Sequence, residues 1–302
     1  MTGLVIRPLN EGEEPLFESL PDPALVGFGA YGDRYSDMAA RGDYRPEWTW
    51  IALRDGAVAA RAAWWGGPHA DAPRELDWFD FTDPGAAVQL LRTAALRTDY
   101  SLRLPPGWRD DPAVSQAAQT RLDAAEKAGM TFLVERYRYE WTPECGVPAA
   151  PGRLEFRPEP DDDVILDVFR RAHRSTLDAH TRRTIAASGL DAAAQQDVDY
   201  LQRMPGPREW WRLAFTTRGD LVGLAAPTRN YSEPVIGYIA VVPEQRRHGY
   251  AHDLLAEATR LLVAEGADRI VAATDVTNLP MAATFAKAGY PVAMHRIDLV
   301  YP

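Results

Sequence analysis

The stretch Val235–Ala251, VIGYIAVVPEQRRHGYA, decides how this chain is read. It reads as a strand, a short turn and a basic loop holding Arg246, Arg247, His248, Gly249, Tyr250 and Ala251. The loop opens straight into a helix. Ala251, Leu254, Leu255, Ala258, Leu261 and Leu262 recur at the i, i+3, i+4, i+7 spacing of a helix packed on a sheet. The first N–H groups of a helix have no intrahelical acceptor and carry partial positive charge, so they can seat a phosphate. Gly249 and the small Ala251 leave the backbone open to a bulky anion, and two arginines add charge. The arrangement suits a pyrophosphate.

Arg246-x-x-Gly249-x-Ala251 behind an apolar strand resembles the acetyl-CoA-binding motif of the GNAT (GCN5-related N-acetyltransferase) superfamily, Q/R-x-x-G-x-G/A. A second signature follows in the expected order. After the apolar run Arg269–Thr274 come Asn278, Met281, Phe285, Lys287, Gly289 and Tyr290. They resemble the family pattern N-x-x-(A/S/M)-x-x-x-Y-x-K-x-G-F at matching spacing.

At 302 residues the chain is comfortable for two domains of about 150. A hydrophobic content of 46% supports full cores, and nine tryptophans with twelve tyrosines argue against disorder. A net charge of −10 makes nucleic acid an unsuited partner and is compatible with a cationic one. Only Lys127 and Lys287 are lysines; with abundant Ala, Gly and Pro this suggests a GC-rich bacterial genome. The single cysteine, Cys145, excludes an internal disulfide and a multi-cysteine metal site. With no signal peptide and no long apolar run, a soluble cytoplasmic protein without a membrane partner is expected, as monomer or homodimer.

Thr142–Gly152 carries three prolines and two glycines and reads as a linker. The halves on either side echo one another. Val5-Ile-Arg7-Pro8 matches Glu155-Phe-Arg157-Pro158, and Lys127-Ala128-Gly129 matches Lys287-Ala288-Gly289. Trp50–Trp65 and Trp211–Ala226 both read as hairpins, with turns at Asp55-Gly56 and Gly219-Asp220. Each half closes with an alternating stretch, Phe132–Trp141 and Val292–Tyr301. The expected fold is α/β of the α+β type: two tandem GNAT-like domains, each a mixed, mainly antiparallel sheet flanked by helices. Residues 1–145 form the first and 146–302 the second. In the first half Glu75–Phe81 runs into Thr82-Asp83-Pro84-Gly85, which lacks the phosphate motif and sets Asp83 in its place. That half is read as degenerate and unable to bind CoA, with a modified phosphate loop at Pro84-Gly85 as the rival reading.

The resemblance implies the chemistry. Backbone groups of Val241 and Val242 would bond the pantetheine arm of acetyl-CoA. Amides from Arg247 to Ala251, with Arg246 and His248 alongside, would hold the pyrophosphate. Asn278, Met281 and Phe285 would flank the other side. Backbone N–H groups near Val241 would stabilise the tetrahedral oxyanion, and positioning would supply most of the acceleration. Glu233 and Asp275 are the candidate bases. Asp178, His180 and Trp210 are candidates for holding the acceptor, a primary amine of a small molecule such as an antibiotic, an amino-sugar or a related metabolite. A longer acyl donor, or a non-catalytic acyl-CoA sensor, is the alternative. No metal is implied. One departure matters: the family's thiolate-protonating tyrosine falls on Phe285. Solvent, another tyrosine (Tyr238, Tyr250 or Tyr290), or an absence of catalysis would each account for it.

Overall fold

The computed structural model describes residues 3–149, 152–159, 161–230 and 232–302. Ala150 and Pro151 of the proposed linker lie outside them. The described chain divides into two units, residues 1–135 with 294–302, and residues 136–293.

Unit 1 begins with β1 (Leu4–Pro8), α1 (Glu14–Glu18) and α2 (Tyr35–Ala40). The hairpin β2 (Thr49–Arg54) and β3 (Ala57–Trp65) follows, then β4 (Glu75–Phe81), α3 (Pro84–Ala94), β5 (Asp99–Leu104), α4 (Pro112–Lys127) and the start of β6 (Thr131–Trp141). Unit 2 repeats the order with β7 (Leu154–Pro158), α5 (Asp162–His173), α6 (Ala179–Ser188) and α7 (Leu190–Gln202). Its hairpin is β8 (Arg212–Thr216) and β9 (Leu221–Arg229). Then come β10 (Pro234–Val241), α8 (Tyr250–Ala264), β11 (Ile270–Asp275), α9 (Leu279–Lys287) and β12 (Val292–Val300).

The pairing is the same in both units. In unit 1, β1 to β4 run antiparallel in sequence and β4 pairs parallel with β5. In unit 2, β7 to β10 do likewise and β10 pairs parallel with β11. Mixed sheets flanked by helices are thus found in both halves.

The closing strands are exchanged, which the sequence did not lead us to expect. β5 takes β12 as its antiparallel neighbour, from Leu104↔His295 to Tyr100↔Leu299. β11 takes β6, from Ile270↔Trp141 to Asp275↔Arg136. The chain therefore passes between units inside β6 and again inside β12, in place of a single boundary between residues 145 and 146. Alternation of apolar and polar residues fixes which face a strand buries and says nothing about which neighbour it joins. Nor is the described part of the linker a loose tether. Trp141 Nε1 donates to Gly146 O at 2.7 Å, and Cys145 packs on the unit 2 core.

Both faces of the unit 2 sheet are covered. Leu254, Leu255, Ala258 and Leu262 of α8 bury the stripe read from the sequence against Val222, Ala225 and Ile236. Phe169, Val198 and Leu201 of α5 and α7 cover the other face through Leu213, Leu224 and Ala226. Side chains of this size each contribute about 1.5–3 kcal/mol on burial.

Candidate active site

β10 and β11 share one registered pair, Val235↔Val271, although β10 continues to Val241 and β11 to Asp275. β10 stays paired with β9 as far as Val241↔Gly223. The two parallel strands therefore part beyond Val235, leaving an open edge on β10. A register shift between Ile236 and Tyr238 bends the strand at Gly237. A Cβ on Gly237 would stand 2.8 Å from Thr228 Cγ2 and 2.9 Å from Ala226 O, so a side chain is not accommodated there.

The parted strand leads into the basic loop. Arg246 is turned inward. Its Nε donates to Val241 O at 3.1 Å, Nη2 to Ala172 O at 3.2 Å, and Nη1 to the Ser175 hydroxyl at 2.7 Å. It ties the loop to the end of α5 through backbone carbonyls, and does not present its charge outward as expected. Arg247 is exposed at φ +68°, and Gly249 follows at φ +77°. Gly249 caps α8 with no side-chain hydrogen bond, so the first amides of this helix keep their donors for a ligand. The His248 ring stacks on Tyr250, centroids 5.4 Å apart.

Arg153, which no local sequence signal marks, also lies at this loop. Its Nη1 donates to His248 O at 3.1 Å, and its Nη2 pairs with Asp253 Oδ2 at 2.5 Å. Its guanidinium stands 5.1 Å from the Tyr250 ring centroid. Asp253 is buried in the first turn of α8, and its other oxygen has no partner among the described residues.

Asp178 and Asp275, assigned separate roles from the sequence, meet at Arg136. Arg136 pairs with each at 3.2 Å. Asp275 also accepts from Ala179 N at 2.7 Å, and Asp178 caps α6 by accepting from Thr181 N at 2.8 Å. Burial, with the neighbouring Asp178 charge, pushes the Asp275 carboxyl above its ordinary range against the pull of Arg136. Burial acts the same way on Asp178, but Arg136 and the Thr181 N–H outweigh it and hold that carboxyl low. His180 stands half-buried beside them, and its charge acts on both. Only the backbone pairing of β6 with β11 brings Arg136 here.

Several expected contacts fall elsewhere. Glu233 bonds Arg138 through one oxygen and stands 3.5 Å from Arg269 through the other. Arg269 in turn pairs with Glu140 at 2.5 Å, so Glu233 belongs to an ion-pair chain along β6 and β10. Trp210 is 8% exposed and packs in the core with Val222 and Leu255, closed to an acceptor. Asn278 caps α9 by accepting from Met281 N at 3.3 Å, and Met281 is half-buried against the core. Phe285, expected beside the pantetheine, is 2% exposed, with its ring stacked on Tyr139. Val242 is wholly buried and its N–H is taken by Val222 O at 2.9 Å, so that amide is not available to a ligand; Val241 is half-buried.

Residues 176–290 match the family model described as the acetyltransferase (GNAT) family. This segment is a GNAT domain. Among solved structures, a GCN5-related N-acetyltransferase from Sphaerobacter thermophilus aligns at a TM-score of 0.60 and 15% identity, over 98% of this chain and 94% of that one. The glucosamine N-acetyltransferase region of a fungal multi-domain GH3 β-N-acetylglucosaminidase aligns at 0.55 and 12% identity, over 99% of this chain and 38% of that one. A tandem GNAT protein from the clavulanic acid biosynthesis pathway aligns over 98% of both chains at 19% identity and a TM-score of 0.48. At these identities the likeness is one of fold. No curated protein sequence matches the chain.

The GNAT arrangement recurs in unit 1 with its gap altered. β4 and β5 share only the pairs Glu75↔Asp99 and Leu76↔Tyr100. Beyond them the chain's own Gly27 N donates to Arg103 O at 2.8 Å, and the Tyr31 hydroxyl to Leu104 O at 2.8 Å. At the head of α3, Asp83 accepts from Ala86 N at 3.1 Å and pairs with Arg54. The Ala86 N–H and Arg54 hold this carboxyl below its usual range. Among the described residues no cluster of three or more His, Cys, Asp or Glu side chains is placed to hold a metal ion. No described helix is long and apolar enough to cross a membrane.

Proposed function

We propose that unit 2 binds acetyl-CoA and transfers the acetyl group to a primary amine of a small molecule. The observation that carries this is the parting of β10 from β11 beyond Val235↔Val271, continuous with an uncapped helix N-terminus at Gly249. An extended chain with amide groups suits the open edge of β10, as an added strand suits any unpaired edge. Its diphosphate would then meet the amides from Arg247 to Ala251, with the exposed Arg247 and the half-exposed Arg153 supplying charge. The amine nitrogen attacks the thioester carbonyl, and backbone N–H groups at the bend near Gly237 would donate to the oxyanion. Of the Asp178–Arg136–Asp275 cluster at the far end of β11, the half-buried Asp178 would supply a carboxylate for a cationic acceptor, while Asp275 is buried.

The same reading gives unit 1 no CoA. Its gap is bridged at Gly27, and the carboxylate of Asp83 sits on the helix N-terminus where a phosphate would go. Thiol release from acetyl-CoA with a panel of primary amines tests the proposal: release that depends on one amine supports it. A second reading, an acyl-CoA sensor without turnover, is favoured by Phe285, which offers no proton at the family's tyrosine position and is sealed in the core. Binding of acetyl-CoA with no thiol release from any amine would select it.

A further inference from the structure

Resting on the acyl-transfer reading of unit 2, we propose that the acceptor is a primary amine with an apolar body, and that it reaches the acyl group over Ala273. Ala273 stands in the middle of β11, which β6 accompanies along its whole length, from Ile270 to Asp275. Side chains alternate along a strand, so Val271, Ala273 and Asp275 share one face. Val271 and Asp275 are buried, yet Ala273 between them is exposed. The face that α6 closes at Asp275, through Ala179 N, is therefore open one step earlier.

This opening lies at the margin of the gap. Val235↔Val271 is the registered pair of the two parallel strands. Two residues further along each, β10 has Gly237 and β11 has Ala273, small residues on opposite sides of the parting. An amine lying over Ala273 would approach a thioester at the Gly237 bend from across the gap.

The charged groups around Ala273 are largely paired off. Opposite it on β6 is Arg138, whose guanidinium is held by Glu233. The next pair on the same face is Arg136 and Asp275, with Asp178 joined to it. Two carboxylates against one guanidinium leave one negative charge when His180 is uncharged, which suits a single ammonium at the half-buried Asp178. Asp275 also draws two loops together. Ala179 N donates to its carboxylate at 2.7 Å, and Asn278 N donates to its backbone carbonyl at 2.9 Å. Each loop carries an exposed leucine, Leu177 and Leu279. With Ala273 they offer apolar contact to the body of the amine. The hydroxyls of a sugar would meet the same side chains without hydrogen-bond partners, at a cost in binding.

The test measures thiol release from acetyl-CoA with methylamine, butylamine, benzylamine and glucosamine, using the full chain beside Ala273→Leu and Leu177→Ser. Both substitutions fall at exposed positions, and CoA binding by calorimetry reports whether each variant is folded. The wild type should use butylamine and benzylamine with kcat/KM about tenfold or more above glucosamine. Ala273→Leu fills the opening and should lower the benzylamine-to-methylamine ratio of kcat/KM by about tenfold, through KM for the amine. Leu177→Ser removes apolar contact and should lower the same ratio. A wild type that prefers glucosamine, or a ratio unchanged in both variants, would overturn this inference and leave acyl transfer intact. Thiol release with none of the amines would overturn both.

Discussion

Phe285 lies nearly face to face with Tyr139, ring centroids 4.2 Å apart and planes 20° from parallel. The pair joins α9 to a strand that enters unit 2 from the first half of the sequence. Tyr290 closes the cluster at 5.5 Å. Phe285→Ala should therefore act first on stability, costing about 3–5 kcal/mol in chemical denaturation as large aromatic truncations in cores do. An unchanged unfolding midpoint would show that the ring belongs to the ligand cleft instead.

Arg246 should behave as a strut. Its guanidinium reaches Val241 O, Ala172 O and Ser175 together, a spread of acceptors that a lysine ammonium cannot span. Arg246→Lys should lower stability by about 1–2 kcal/mol and open the loop to limited proteolysis. If the lysine variant resists protease as the wild type does, the strut assignment fails.

Arg153→Met strands Asp253, which has a buried side chain and one unpartnered oxygen already. Because Arg153 is 44% exposed, the loss is put at about 1–2 kcal/mol, below that of a fully buried pair. Adding Asp253→Asn should recover part of it, which a double-mutant cycle measures. Strict additivity would mean the two groups do not interact.

Unit 1 should respond to pH through Asp77. Burial pushes its carboxyl up to about 8, against the opposing charge of Arg103. In the unfolded chain the same group ionises near 3.9. Between those values the folded state holds a proton that the unfolded state has lost, so stability falls as pH rises from about 4 to 8. Asp77→Asn should flatten that part of the stability curve. An equal slope in the variant, followed by denaturant titration across the window, would assign the dependence to other groups.

The strand, glycine turn and helix around Gly249 were legible because they are contiguous, lying between Val235 and Ala264. The doubled architecture was legible because each half repeats its hairpin and its helix in the same order. What could not be read depends on partners distant in sequence. Arg153 reaches Asp253 from 100 residues away, and Arg138 captures Glu233 from 95. Arg136 joins Asp178 to Asp275 only because β6 pairs with β11. Exchange of β6 and β12 leaves no trace in their alternation, since either strand fits either edge.

Calorimetric titration of CoA tests the central claim most directly, using the full chain beside Gly249→Ala and Gly249→Glu. A Cβ at Gly249 meets only Arg153 Nη2 at 3.8 Å, and both variants carry the same strain at φ +77°. They differ in the carboxylate set at the head of α8. The account predicts one CoA per wild-type chain, binding retained in the alanine variant, and none in a folded glutamate variant. Two equal sites per chain, or undiminished CoA affinity in Gly249→Glu, would contradict it.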